Sequence, residues 1–174
     1  MKQRIMQFFY GLTAKLCAHD HVFIRRFLDE EEQVLFYGMD VVDQRHALYT
    51  AYTALELARG KDGVDGMFLV RIALLHDIGR MKGDLGLWGK VFAVLMHDFS
   101  PRLAQRCAHP AKEGCLAFFR RALYVYYHHA EIGSEKLLRL GHAKEAAAVR
   151  LHHKPASSSD SVELCLLRKA DSMN

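Results

Sequence analysis

The sequence predicts an all-α, single-domain fold, on three observations. Apolar residues recur at helical spacing along nearly the whole chain, as in Ile5, Phe8, Phe9, Leu12 and Leu16. Breakers are sparse, with 3 Pro and 12 Gly, while the better helix formers Ala, Leu, Arg, Lys and Glu recur throughout. At 174 residues, 51% hydrophobic and 25% charged, one core is expected and disorder is excluded.

The elements follow in order. After the N-terminal apolar stripe, Val22 to Phe36 predicts a helix whose acidic run Asp29–Glu32 is either a solvated face or a helix start. Val41 to Arg59 predicts a long helix closed by Gly60 at C′. Lys61–Gly66 is a turn cluster in which Asp65 can cap the next helix, Gly66 to His76. That helix is apolar on every side from Phe68 to Leu75, so it is expected to be buried. It delivers His76 and Asp77 at the edge of the core, and Ile78-Gly79-Arg80 turns the chain away. Trp88 to Phe99 predicts a helix, and Ser100-Pro101 is an N-cap and N1 pair for another. Glu113 to Tyr127 and Glu131 to Leu140 predict two further helices, with Gly141 stopping the second. Val125-Tyr126-Tyr127 has β propensity but sits inside a helical pattern. Ala143 to His153, a loop over Lys154–Ser159, and a capping-box-like start at Asp160-Ser161-Val162-Glu163 lead to a last helix, Val162 to Ser172. Residues 1–40 are expected to form a helical extension packed on a core domain of residues 41–174, built from about five helices.

The net charge of +4 is mild; it helps attract a phosphate-bearing substrate without making a stable nucleic-acid binder. Four cysteines (Cys17, Cys107, Cys115, Cys165) lack any C-x-x-C pairing and are expected as reduced core residues of a cytoplasmic protein. The N-terminus lacks a small-residue cleavage site, so no signal peptide is expected. No apolar run approaches the roughly 20 residues that span a bilayer, so no membrane association is expected.

Eleven histidines are many for one domain, and their arrangement carries the chemistry. Adjacent helical residues point about 100° apart, so His76 and Asp77 can approach one cation from different sides. An idle imidazole and carboxylate at the mouth of an apolar core would cost several kcal/mol unless paired or metallated. Nitrogen and carboxylate donors together suit divalent Fe, Mn, Co, Ni or Zn.

Further residues form an ordered series with this pair. His46 comes first, in Asp43-Gln44-Arg45-His46-Ala47-Leu48. His76-Asp77-Ile78-Gly79-Arg80 follows, then His129-Ala130-Glu131-Ile132-Gly133, the doublet His152-His153, and Asp171 in Leu167-Arg168-Lys169-Ala170-Asp171. The series resembles the HD superfamily of metal-dependent phosphohydrolases in its HDIG form, with Ala130 standing where the family has proline. The resemblance implies an HD-domain bundle with two metals per chain. One would be held by His46, His76, Asp77 and Asp171; the other by His129 and His152, with Asp77 bridging and His153 as a further ligand or support. It implies hydrolysis of a phosphomonoester or phosphodiester, a nucleotide foremost, by a metal-activated water. Asp77 and Arg80 would carry the catalytic roles, Arg80 as the phosphoryl clamp ahead of Lys82 and Lys154. The stretch from Asp77 to His129 is longer than in compact members, which implies an insertion within 82–112, a lid or substrate wall. No Gly-Tyr-Pro element follows His152-His153, unlike the variant acting on cyclic dinucleotides.

Competing assignments stay in view. His19-Asp20 lies in a polar junction, and His97-Asp98 leads into Phe99-Ser100-Pro101 rather than a glycine turn. His21, His109 and His142 read as surface or capping residues, while His128 competes with His129. Arg80 also reads as a cation facing a helix C-terminus. Asp43 either orients His46 or is an ordinary first-turn acid. Tyr49, Tyr52, Tyr124, Tyr126 and Tyr127 read first as core, with the lining of a nucleotide pocket as the alternative for one of them. Beside the phosphohydrolase stand two alternatives, an HD-type di-iron oxygenase and a non-catalytic metal or nucleotide sensor; a homodimer is open to all three.

Overall fold

A computed structural model describes residues 15–84, 86–110, 113–114 and 116–174. The N-terminal apolar stripe lies almost wholly outside them, as does Cys115. The described residues are all-α, with no strand among them. In chain order the helices are α1 (Ala18–Phe27), α2 (Glu30–Tyr37), α3 (Val41–Ala58), α4 (Gly66–Leu75), α5 (Gly86–Phe99), α6 (Pro101–Cys107), α7 (Ala117–Arg139), α8 (Ala143–Leu151) and α9 (Val162–Met173).

Local chemistry sets most boundaries. Asp29 accepts from the Glu32 N–H at 2.9 Å while the Glu32 carboxylate accepts from the Asp29 N–H at 3.2 Å. This reciprocal box starts a new helix, so the single helix expected over Val22–Phe36 is two, α1 and α2, and the acidic run is a helix start. Asp65 caps α4 by accepting from the Phe68 N–H at 3.0 Å, and Ser161 caps α9 by accepting from Leu164 at 3.2 Å. Gly60 and Gly141 end α3 and α7 with φ of 70° and 85°, a region that only glycine enters without strain.

One expectation fails instructively. The chain over His128-His129-Ala130 was expected to be a break between helices, and it is the interior of α7, a single 23-residue helix. A proline at position 130 would have removed a backbone donor there; Ala130 keeps it.

The core forms around α4, where Phe68 through Leu75, except Arg71, are buried. It packs most extensively on α3, and α9 and α8 close over it. The helices before Val41 share this core: Ile24, Leu28, Phe36 and Met39 are buried in the same cluster. Two charged hubs fasten the outer helices. Asp20 accepts from Arg45 at 2.9 Å and Tyr52 at 3.3 Å, tying α1 to α3. Arg71 of α4 reaches Glu32 at 2.6 Å, Asp29 at 3.1 Å and Glu145 at 3.6 Å, joining α2, α4 and α8.

The stretch expected as an insertion is α5 and α6, which lie against the first half of α7 through Ala93, Ala104 and Leu123. Its outer face bares Trp88, Leu95 and Phe99. Among the described residues no helix is long and apolar enough to cross a membrane. The cysteine expectation needs correction: Cys17 and Cys165 are exposed, and Cys107 is half-buried. Cys17 is the N-cap residue of α1, outside the core. Tyr49 is likewise exposed rather than core, its hydroxyl held by Arg45 at 2.5 Å.

Candidate metal centre

Five helices bring the singled-out residues to one place. His46 projects from α3, His76 and Asp77 end α4, His129 lies midway along α7, His152 and His153 end α8, and Asp171 lies in the last turn of α9. His76, Asp77, His129 and His152 are buried, with His46 half-buried and His153 exposed.

Their donor atoms form three overlapping groups, each within 4.8 Å: Asp77, His129, His152 and His153; His46, His76 and Asp77; and His76, His152 and Asp171. His46 Nε2 lies 3.0 Å from Asp171 Oδ1 and 4.0 Å from Asp77 Oδ2. His76 Nε2 is 3.5 Å from both carboxylates. His129 Nε2 is 3.3 Å from Asp77 Oδ1 and 2.9 Å from His153 Nε2. Asp77 thus faces His46 and His76 with one oxygen and His129 with the other.

Three of the rings are aimed by the same device. Nδ1–H of His76 donates to the Ala73 carbonyl at 2.8 Å, that of His129 to Tyr126 at 3.0 Å, and that of His152 to Val149 at 2.6 Å. Each bond fixes the ring and turns Nε2 towards the cluster. There, His76 Nε2, His152 Nε2 and Asp77 Oδ1 are buried without a hydrogen bond. An unsatisfied buried polar atom costs roughly 1–3 kcal/mol, a cost that a bound cation would relieve. Imidazole nitrogens with carboxylate oxygens match the borderline divalent metals, so these residues fit such an ion.

The electrostatics differ from one side of the cluster to the other. Burial alone would raise Asp77, but Arg80 and the surrounding histidines hold it well below the usual carboxylate range. Asp171 likewise stays ionised, burial being outweighed by its hydrogen bond with His46 and by the adjacent His76 imidazole. Burial, reinforced by Arg80, pushes His129 well down, and burial with nearby His76 lowers His152 to about 3. Both imidazoles are therefore neutral, the form that ligates. His76 is pushed the other way, to about 9, because Asp77 and Asp171 overcome its burial.

Arg80 is more than a cation at a helix end. It donates to Asp77 Oδ2 at 2.7 Å and to His129 Nε2 at 3.1 Å, spanning the two sides of the cluster. Gly79 explains how α7 comes so near. A Cβ there would fall 2.0 Å from the His129 carbonyl oxygen and 2.7 Å from its Cα. The glycine is required by this close approach of two backbones and not by a left-handed φ. Lys136 fastens the same crossing, donating to the Ile78 carbonyl at 2.8 Å.

Other candidates fall outside the cluster. His128 is exposed and packs on the Tyr124 ring at 4.7 Å, because one helical step turns it away from His129. Lys82 is exposed, its backbone N–H donating to Gly38 at 2.8 Å. Lys154 pairs with Glu131 at 3.1 Å. His97 bonds Tyr127 OH at 2.8 Å. Asp43 is an acid in the first turn of α3, as one of its two readings has it, but it is buried and paired with Lys90 of α5 at 2.6 Å. Lys90 and Lys136 were not foreseen, since nothing near either in sequence marks a partner some fifty residues away. A further group, Asp29, Glu32 and His142, also has metal-like spacing, but Arg71 already fills it.

No protein-family model matches the chain, and no curated protein or solved structure is significantly similar to it.

Proposed function

We propose that the cluster is a dinuclear metal centre and that the protein is a phosphohydrolase acting on a phosphomonoester or phosphodiester. The observation that carries this reading is the gathering of His46, His76, Asp77, His129, His152 and Asp171 into overlapping groups whose donor atoms lie within 4.8 Å of one another, with the His76, His129 and His152 rings fixed through Nδ1. His46, His76, Asp77 and Asp171 would hold one divalent cation; His129 and His152, with His153 beside them and Asp77 shared, would hold the other. Two such cations supply a lowered pKa for attacking water and neutralise charge on the phosphoryl oxygens.

The remaining work falls to the chain. Asp77 holds the two halves of the site together through its two oxygens. Arg80, already reaching across from Asp77 to His129, presents a forked guanidinium suited to phosphoryl oxygens. Closely packed α4 keeps bulk water from one side of the cluster.

The test is elemental analysis of protein purified without a chelating tag, wild type beside His129→Ala, followed by phosphate-release assays with the metal found. Two metals per chain falling to about one in the variant support the dinuclear reading. One metal in both proteins removes His129 from the site. No metal after reconstitution overturns the reading, and oxygen consumption without phosphate release transfers the site to an iron oxygenase.

A further inference from the structure

The outer face of α5 is apolar and bare. Trp88, Phe92, Leu95 and Phe99 follow one another at intervals of four, three and four residues, which sets them in one stripe along the helix. Trp88 is 76% exposed, Leu95 61% and Phe99 85%, and Val91 beside them is exposed as well. The stripe widens on to the start of α7. The Phe92 and Phe119 ring centroids lie 4.5 Å apart, and the Phe118 ring packs beside Gly89. Phe118 and Phe119 are themselves exposed. Contiguous apolar surface of this kind, left bare, marks a place where something docks.

Charge says what covers it. Residues 86–121, which bear this face, hold six Lys or Arg against two Asp or Glu, a surplus equal to the +4 of the whole chain. Two of these cations are committed inward, Lys90 to Asp43 and Arg121 to Asp84. Arg102, Arg106 and Arg120 are exposed, and none forms an ion pair with a described residue. Asp98 is exposed at the edge of the stripe and is outnumbered by these arginines. We propose that this face seats the protein on an anionic lipid bilayer, with α5 lying in the headgroup plane and Trp88, Leu95 and Phe99 entering the acyl boundary. Tryptophan, phenylalanine and leucine on one face with arginine alongside is the composition that helices at such an interface carry. Anionic headgroups attract exposed arginines close to the surface. A second copy of the chain would instead set one positive surplus against another. The sequence discouraged membrane association because no apolar run can span a bilayer, but a helix lying in the interface needs only one apolar face.

Trp88 is the only tryptophan of the chain, so its fluorescence reports this face and no other. The full chain is titrated with vesicles of phosphatidylcholine and phosphatidylglycerol in equal parts, and with vesicles of phosphatidylcholine alone, while sedimentation measures the bound fraction. The expected result is a blue shift of Trp88 emission on the anionic vesicles, quenching by acyl-brominated lipid, and at least tenfold weaker binding to the neutral ones. Two double variants separate the contributions. Leu95→Ser with Phe99→Ser should weaken binding to anionic vesicles at least tenfold. Arg102→Gln with Arg106→Gln should do the same, each arginine near the surface being worth roughly fivefold. All four side chains are exposed, so the variants should melt with wild type by circular dichroism. Emission unmoved by either vesicle overturns the proposal, and so does sedimentation with vesicles while Trp88 stays in water, which would assign binding to another face. Equal affinity for neutral vesicles, or an arginine variant that binds like wild type, overturns the anionic assignment. A blue shift that grows with protein concentration in the absence of lipid, with a dimer in analytical ultracentrifugation, gives the face to a second copy instead.

Discussion

Replacing Gly79 by alanine tests whether the turn after Asp77 must touch α7. The added Cβ would meet the His129 carbonyl oxygen at 2.0 Å and its carbonyl carbon at 2.6 Å. Ordinary carbon contacts begin near about 3.5 Å, so the turn and the helix must separate by about 1.5 Å. Every atom met is backbone, leaving no flexible side chain to yield. Overpacking of this kind costs about 1–3 kcal/mol and occasionally more, and a clash between two backbones belongs at the upper end. For a chain of this size each kcal/mol shifts Tm by roughly 2–4 °C, so Gly79→Ala should melt roughly 6–12 °C below wild type. The displacement falls directly on His129, now 3.3 Å from Asp77, so bound metal should fall with it. Circular dichroism melting and elemental analysis read the two effects. Gly66→Ala, whose Cβ would meet nothing within 4 Å, is the control and should be neutral or slightly stabilising. Should Gly79→Ala melt with wild type and keep its full metal, the close approach would not constrain the site.

Other expectations concern the frame around the site. Arg71→Met should destabilise by about 3–5 kcal/mol at neutral pH, because it leaves the fully buried Glu32 carboxylate without its partner. Burial already raises Glu32 above its ordinary value despite Arg71, and losing Arg71 raises it further. With the folded pKa above the unfolded one, the folded variant is favoured by protonation. Its deficit should therefore be small at acid pH and grow as pH rises towards the new folded pKa; urea titrations at pH 5 and 8 decide, and an equal deficit at both contradicts the argument. Leu74→Ala, at a fully buried position of α4, should cost about 2–5 kcal/mol through the cavity it leaves; a loss under about 1 kcal/mol in the same titration would mean that the core relaxes around the gap.

What the sequence revealed depended on how local its physical cause was. Helix α4 was legible because its residues are apolar on every side, and its cap Asp65 sits directly before it. The site was legible as an ordered series of His and Asp, each at a helix end or on an inward face. The division of α1 from α2 was half visible, since Asp29–Glu32 reads equally as a solvated face until the reciprocal hydrogen bonds are seen. Helix α7 was divided in error because consecutive polar residues, His128 and His129, interrupt its apolar pattern, although one faces solvent and the other the core. Arg71, Asp20 and Lys90 left no trace in sequence, because each is defined by partners on other helices, and an isolated charged residue on a helical pattern looks solvated.

The carbonyls that hold the imidazoles belong to helix ends that would otherwise lack partners. The last turn of any helix leaves its C=O groups unsatisfied; Ala73 and Val149 lie in the last turns of α4 and α8, and His76 and His152 are the residues that follow. Each of these rings therefore finishes a helix with one nitrogen and faces the cluster with the other. Ring orientation and helix termination are one hydrogen bond, so fraying either helix by a single residue would swing a donor atom out of the cluster. By the same coupling, a cation gripping Nε2 would fasten both helix ends, making it a strut of the fold as well as its reagent.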